Sequence, residues 1–237
     1  MRLASQINLP GFERCFLDGP MPAMDGRLPL LVGYSVRNKT FSVDLFSRIF
    51  FLAARHFSRL EVLIVDEPYA WNEAASRGEQ APNQTDLDKS RRIGEERFRM
   101  VRGAVSNRSA GLNVRVSRWQ DYAQLAEVKS LRDELQSAAQ LHVTIREALS
   151  SYSQLWRGEV SSEDADLFYG FLIEEFPVFV YLYYKDGYSV DIYPGPNFPF
   201  FKALEKQQWV VELPLASELA KDKELSFLNV GVRDATL

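Results

Sequence analysis

The sequence predicts an α/β fold, a mostly parallel sheet flanked by helices, in one domain spanning residues 1–237. Three observations predict it. Val62-Leu63-Ile64-Val65 is apolar without alternation, as in strands buried on both faces of a parallel sheet. Leu30-Leu31-Val32 is a second such run, and Val43, Phe46, Phe50, Ala53, Ala54 and Phe57 lie between the two at helical spacing. Strand, helix and strand then make a right-handed βαβ unit. Farther along, strand-like and helix-like segments keep alternating, which argues for a single α/β layer structure.

Taken in order, residues 1–27 carry Gly and Pro punctuation without a period and read as an irregular lead-in. Residues 30–35 form the first strand, 42–57 the first helix and 61–66 the second strand. Residues 67–83, with Pro68, Gly78 and Pro82, read as a polar loop. A long helix follows over 86–106, then a third strand over 112–117. Residues 120–156 are mostly helical, with a break near Ala126. Ser161 or Ser162 supplies an N-cap for a helix ending near Glu175, ahead of Pro177. Residues 188–193 alternate like a strand, and 209–213 read as the last one.

Composition excludes several function classes. Net charge is −4, so the chain is not a basic nucleic-acid coat, and any nucleic-acid contact must come from a local patch. A single cysteine, Cys15, forbids an intrachain disulfide and fits a reducing compartment. With only His56 and His142 besides, a structural zinc site is not expected. The longest apolar stretch, 176–184, is far short of the ~20 residues that span a bilayer, and a secretion signal is not evident. A cytoplasmic protein without metal is expected.

Four constellations carry chemistry. Gly33-Tyr34-Ser35-Val36-Arg37-Asn38 places a serine hydroxyl where a strand gives way to a helix, at the sheet edge where α/β proteins bind ligands. It lacks the second glycine of the hydrolase elbow, and neither histidine recommends itself as a base. On the long helix, Arg91, Arg92, Arg99 and Arg102 share one side with Lys89 at its margin, opposite Ile93, Met100, Val101 and Ala104. This is either a solvated face laced with ion pairs or a phosphate-binding surface. Glu174 and Glu175 sit among Phe171, Leu172, Ile173, Phe176 and Pro177, where only one can face inward easily. Such a carboxylate needs a cation, and none is close in sequence, so a ligand ammonium or solvent must serve. Finally, Tyr193 closes a strand before Pro194-Gly195-Pro196 and can donate a hydrogen bond or relay a proton.

In this order the pieces resemble the tRNA-dependent cyclodipeptide synthases, from about Leu30 to Pro194. The resemblance implies a Rossmann-type fold like the catalytic domain of class I aminoacyl-tRNA synthetases, with no ATP use and no cofactor. It implies an aminoacyltransferase of secondary metabolism that uses two aminoacyl-tRNAs in turn, acts as a monomer without a membrane, and releases a diketopiperazine. Ser35 corresponds to the nucleophile, Glu175 to the carboxylate holding the substrate α-ammonium, Tyr193 to the proton-transfer tyrosine and Asn38 to a signature position. Leu31, Gly33, Leu63 and Val65 correspond to the first amino-acid pocket and suggest an apolar side chain. Lys89, Arg91, Arg92, Arg99 and Arg102 correspond to the tRNA surface.

Three positions depart from the family pattern. Phe171 stands where a tyrosine usually precedes the glutamate by one turn, with Tyr169 nearby. Pro29 stands where many members have histidine. Asn38 together with Tyr193-Pro194 mixes the features of two branches, and Pro194 inclines the chain to the Tyr-Pro branch. Two rival readings are a serine esterase or amidase using His56 or His142, and a non-catalytic tRNA-binding module.

Overall fold

A computed structural model of the protein describes residues 5–7, 12, 15–38, 41–106, 111–157, 162–193 and 199–230. Among the described residues seven strands form one sheet: β1 (Ser5–Ile7), β2 (Cys15–Asp18), β3 (Pro29–Ser35), β4 (Arg59–Val65), β5 (Asn113–Arg118), β6 (Val190–Tyr193) and β7 (Ser226–Val230). Their spatial order is β1-β2-β7-β6-β3-β4-β5. The five strands from β7 to β5 are parallel, and β1 and β2 extend them antiparallel at one edge.

The direction of growth sets the location of any ligand. From β3 the chain builds outward to β4 and β5, then crosses to β6 and β7 on the other side of β3. The order therefore reverses between β3 and β6, and the crevice at the carboxyl ends of those two strands is the natural binding place. Ser35 ends β3 and Tyr193 ends β6.

Alternation along the parallel strands divides the core in two. Leu30, Val32, Leu60, Val62 and Ile64 pack with α1 (Val43–His56) and Val101 of α3 (Gln84–Ser106). Leu31, Leu63 and Val65 face α5 (Ala126–Leu141), α6 (Val143–Arg157) and α7 (Ser162–Val180), together with Trp119 and Tyr122 of α4 (Trp119–Ala123). Helix α1 starts where Ser42 Oγ accepts from the Leu45 amide at 3.1 Å, with Asp44 in its first turn and Arg55 and His56 in its last.

Four expectations from the sequence need correction. Residues 67–83 are not all loop: α2 (Tyr69–Ala75) forms there, because Ala70, Ala74 and Ala75 offer a small buried face to its neighbours. The lead-in contributes β1 and β2, too short and irregular in pattern to be read locally. Pro177 does not end α7. The segment is apolar nearly all round and runs through the core to Val180, continuing as a π-helical turn (Tyr181–Lys185), so burial outweighs the lost proline N–H. Residues 209–213 form turns between α8 (Pro199–Glu205) and α9 (Pro214–Ala220), and the last strand is β7. Trp209 packs on Phe200 at 5.1 Å instead of joining a ladder. The N-cap candidate Ser161 and the residue Pro194 lie outside the described residues, as does the side chain of Tyr169.

One buried ion pair fixes α3 on the strand ends. Asp66, fully buried, accepts from Arg118 Nε at 3.0 Å and from its Nη2. Arg118 also donates to the Arg91 carbonyl at 2.9 Å and to Glu95 at 3.1 Å. Gly94 lies directly over Asp66, and a Cβ there would fall inside the carboxylate. Gly94→Ala should therefore destabilise the protein by about 1–3 kcal/mol despite alanine's helix preference. Gly103→Ala, on the same helix in open space, should stabilise it by about 0.5–1 kcal/mol. Urea unfolding of both variants checks the contrast.

Candidate active site

At the switch point the turn after β3 is closed by the Asn38 amide donating to the Ser35 carbonyl at 3.0 Å, and Phe41 N–H to the Asn38 carbonyl at 3.2 Å. This leaves Ser35 half-buried at the crevice and turns Asn38 toward β6. Asn38 Nδ2 donates to the Tyr193 hydroxyl at 3.4 Å. The ring of Tyr193 packs edge-on against Phe41, 5.8 Å between centroids, which fixes the phenol across the crevice. Burial raises the Tyr193 phenol well above its ordinary value, while hydrogen bonds with Asn38 and Ser35 pull the other way. At neutral pH it carries its proton and is placed to donate it.

Helix α7 runs down the same side of the sheet. Phe179 rests on Gly33, where a Cβ would lie 2.9 Å from its ring, so only glycine lets helix and strand approach this closely. One turn earlier Glu175 is buried, 7 % exposed. Desolvation first, and the nearby Asp191 charge second, push its carboxyl up to about 8; among the described residues it meets no cation. Glu174, adjacent in sequence, points away and pairs with Arg132 at 3.2 Å. Of the two glutamates, the inward one is thus Glu175, as adjacent helical positions require.

Asp191 is the site residue that sequence reading missed. It lies two residues before Tyr193 on the same strand face, in register with Leu31. It is buried; the Tyr183 hydroxyl donates to Oδ2 at 2.6 Å, and Oδ1 finds no hydrogen-bond partner among the described residues. Burial pushes its carboxyl up to about 7, against the stabilising Tyr183 bond. The alternation of residues 188–193 was the available signal, since it places Asp191 beside Tyr193.

The structure brings Ser35, Asn38, Tyr193 and Glu175 together and places Leu31, Gly33, Leu63 and Val65 in the buried layer beneath α7. Phe171, half-buried one turn before Glu175, packs against that layer. The two histidines stand elsewhere: His56 Nδ1 is 3.2 Å from the Met24 carbonyl at the far edge of the sheet, and His142 separates α5 from α6. No imidazole supports Ser35, so a serine–histidine triad is not built.

The basic helix is partly neutralised. Arg91 donates to Glu67 at 2.8 Å, Lys89 to Glu73 at 2.6 Å and Arg99 to Glu95 at 2.8 Å, while Arg102 lies over the Phe98 ring. Arg92 is exposed and forms no ion pair with the described residues. The face therefore combines both readings of its sequence: ion pairs along its border and open positive charge between them. No described helix is long and apolar enough to cross a membrane.

No family model matches the chain, and no curated protein sequence does. Solved structures do match. A cyclodipeptide synthase of Staphylococcus haemolyticus superposes with a TM-score of 0.66 at 10% identity, over 87% of this chain and 92% of its own. One from Bacillus thermoamylovorans gives 0.64 at 15% identity, over 90% and 92%. A Mycobacterium tuberculosis protein, whose structure relates cyclodipeptide synthetases to type I tRNA synthetases, gives 0.63 at 14% identity, over 97% and 98%. These superpositions run nearly end to end, and by architecture the chain has the fold of the cyclodipeptide synthases.

Proposed function

We propose that the protein is a tRNA-dependent cyclodipeptide synthase. The observation that carries this reading is the buried carboxylate of Glu175, without a cation among the described residues, beside the Ser35–Asn38–Tyr193 group. A carboxylate so enclosed is costly unless a cation arrives with the substrate. The α-ammonium of an aminoacyl ester is such a cation, and the ester carbonyl then lies next to a serine hydroxyl.

In the proposed reaction Ser35 Oγ attacks the carbonyl carbon of the first aminoacyl-tRNA. The ester bond to the terminal ribose breaks, and the serine proton passes to the departing ribose oxygen. Tyr193, proton-bearing and accepting a hydrogen bond from Asn38, would relay that proton. The amine of the seryl-bound amino acid then attacks the ester carbonyl of a second aminoacyl-tRNA: the peptide bond forms, the ester bond to that ribose breaks, and the amine proton passes to the departing ribose oxygen. The resulting dipeptidyl-enzyme cyclises as its free amine attacks the seryl ester, which restores Ser35 and releases the diketopiperazine. Because the substrate is already an activated ester, binding, orientation and a nucleophile suffice, without ATP or a cofactor. Leu31, Gly33, Leu63 and Val65 would line an apolar first pocket, and the protein would act as a monomer.

Bacterial expression followed by mass spectrometry of the medium tests the reading: cyclic dipeptides support it. Tight tRNA binding without acyl-enzyme or product would make the protein a tRNA-binding module instead. Turnover of simple esters without tRNA would favour an esterase, a reading the remote histidines disfavour. The basic face of α3, with Arg92 unpaired among the described residues and Arg99 paired only within its own helix to Glu95, gives a separate test. Glu in place of Arg92 and Arg99 together should lower kcat/KM for aminoacyl-tRNA at least about tenfold at low salt, with the difference shrinking as salt rises. Unchanged kinetics would remove α3 from the tRNA surface.

A further inference from the structure

Most cations along the carboxyl edge of the sheet already have carboxylates. Lys89 is held by Glu73, Arg91 by Glu67, and Arg118 by Asp66 and Glu95. Arg37 differs. It is exposed, lies two residues beyond Ser35 in the same turn, and its guanidinium sits 5.2 Å over the ring of Tyr69. Glu73, the nearby acid, feels the charge of Arg37 but is bonded elsewhere: the Tyr69 hydroxyl donates to its Oε1 at 2.5 Å and Lys89 to its Oε2 at 2.6 Å. A chain of contacts, Arg37–Tyr69–Glu73–Lys89, thus joins the turn of the nucleophile to the basic helix.

A guanidinium over the face of a ring is anchored by the ring's charge distribution without using its N–H donors on an acid, so they can serve a ligand. An arginine held this way offers a preorganised fork for a phosphate and loses little freedom on binding it. The aminoacyl ester sits on the last ribose of its tRNA, so the phosphate of that nucleotide accompanies the ester to the crevice. We propose that Arg37 binds a backbone phosphate of the single-stranded acceptor end, extending the positive track of α3, through Arg92 and Lys89, to the mouth of the Ser35 site. This inference rests on the aminoacyl-tRNA reading above.

Arg37→Ala should raise KM for aminoacyl-tRNA about tenfold with little change in kcat. Its plot of log(kcat/KM) against log salt should be shallower by about 0.7, one phosphate contact on a single strand. Arg37→Lys should recover most of that slope. A 3′-aminoacyl-adenosine, which bears no phosphate, should acylate wild type and Arg37→Ala at equal rates in single-turnover mass spectrometry. An unchanged salt slope, or an equal loss with both donors, would overturn the proposal. If neither donor acylates wild type, the synthase reading fails. The salt slope for binding uncharged tRNA then decides Arg37 by itself: a shallower slope in the alanine variant supports the phosphate contact, and an unaltered one overturns it.

Discussion

Ser35→Ala should eliminate the acyl-enzyme and lower cyclic dipeptide formation by about three orders of magnitude or more, as expected when a covalent nucleophile is removed. The check is direct. Wild-type protein mixed with aminoacyl-tRNA and digested should yield the peptide spanning Gly33 to Asn38 with an aminoacyl mass added, and the variant should not. Folding should be unaffected: the side chain is half-exposed, and such changes usually stay within about 0.5 kcal/mol. Product at wild-type rate from the alanine variant would sink the covalent route. Loss of product accompanied by unfolding would be visible in the circular dichroism, and Ser35→Cys then offers a second test, since a thiolate at the same place would still be labelled.

Glu175→Gln should separate activity from stability. The variant keeps the shape but loses the charge that would hold the substrate ammonium, so kcat/KM should fall by about 30-fold to 3,000-fold, the range for removing one partner of a buried charge pair. Stability should move the other way. Between the ordinary carboxyl value and about 8, folded Glu175 keeps a proton that the unfolded chain has lost. Folding takes up protons over that interval, so this group lowers stability as pH rises from about 4.5 to 8. Asp191 acts in the same direction between 3.8 and about 7. Glutamine has no such penalty. At pH 8 the variant should be more stable than wild type by about 2–4 kcal/mol, or several degrees in Tm, and the gain should vanish near pH 4.5. Thermal melts at both pH values read this out. A variant equally destabilised at both would show that Glu175 is a packing residue.

That trade explains the form of the crevice. Two carboxylates are enclosed without a cation among the described residues, a costly arrangement in a resting protein. By contrast, Glu61 is equally buried but satisfied: Ser117 Oγ donates at 2.7 Å, the Tyr188 hydroxyl at 2.5 Å, and the Tyr122 hydroxyl as well. The comparison distinguishes a structural buried acid from Glu175, which has no cation among the described residues. It also puts Phe171 in context. Its ring adds apolar surface one turn above Glu175 and no hydroxyl, so among the residues at that end of the crevice the charge of Glu175 carries more of the proposed ammonium contact.

Periodicity and chain order determined much of this protein. The apolar runs at Val62–Val65 and Leu30–Val32 marked two central parallel strands, and the 3.6-residue pattern marked α1 and α3, because each signal is local and repeated over many residues. Ser35, Tyr193 and Glu175 were legible as strand-end and helix positions. Contacts between distant segments decided the rest. Pro177 stays helical because the core around it excludes water. Residues 209–213, apolar enough for a strand, form turns in which Trp209 packs on Phe200 and Leu213 is buried while Val210 and Val211 stay exposed. Only the fold placed Asp191 near Glu175, and only the fold showed that Glu67, Glu73 and Glu95 neutralise Arg91, Lys89 and Arg99 while Arg37 and Arg92 form no ion pair among the described residues. Sequence spacing reports which way a side chain points along its own element. The charge it meets there depends on an element that can be a hundred residues away.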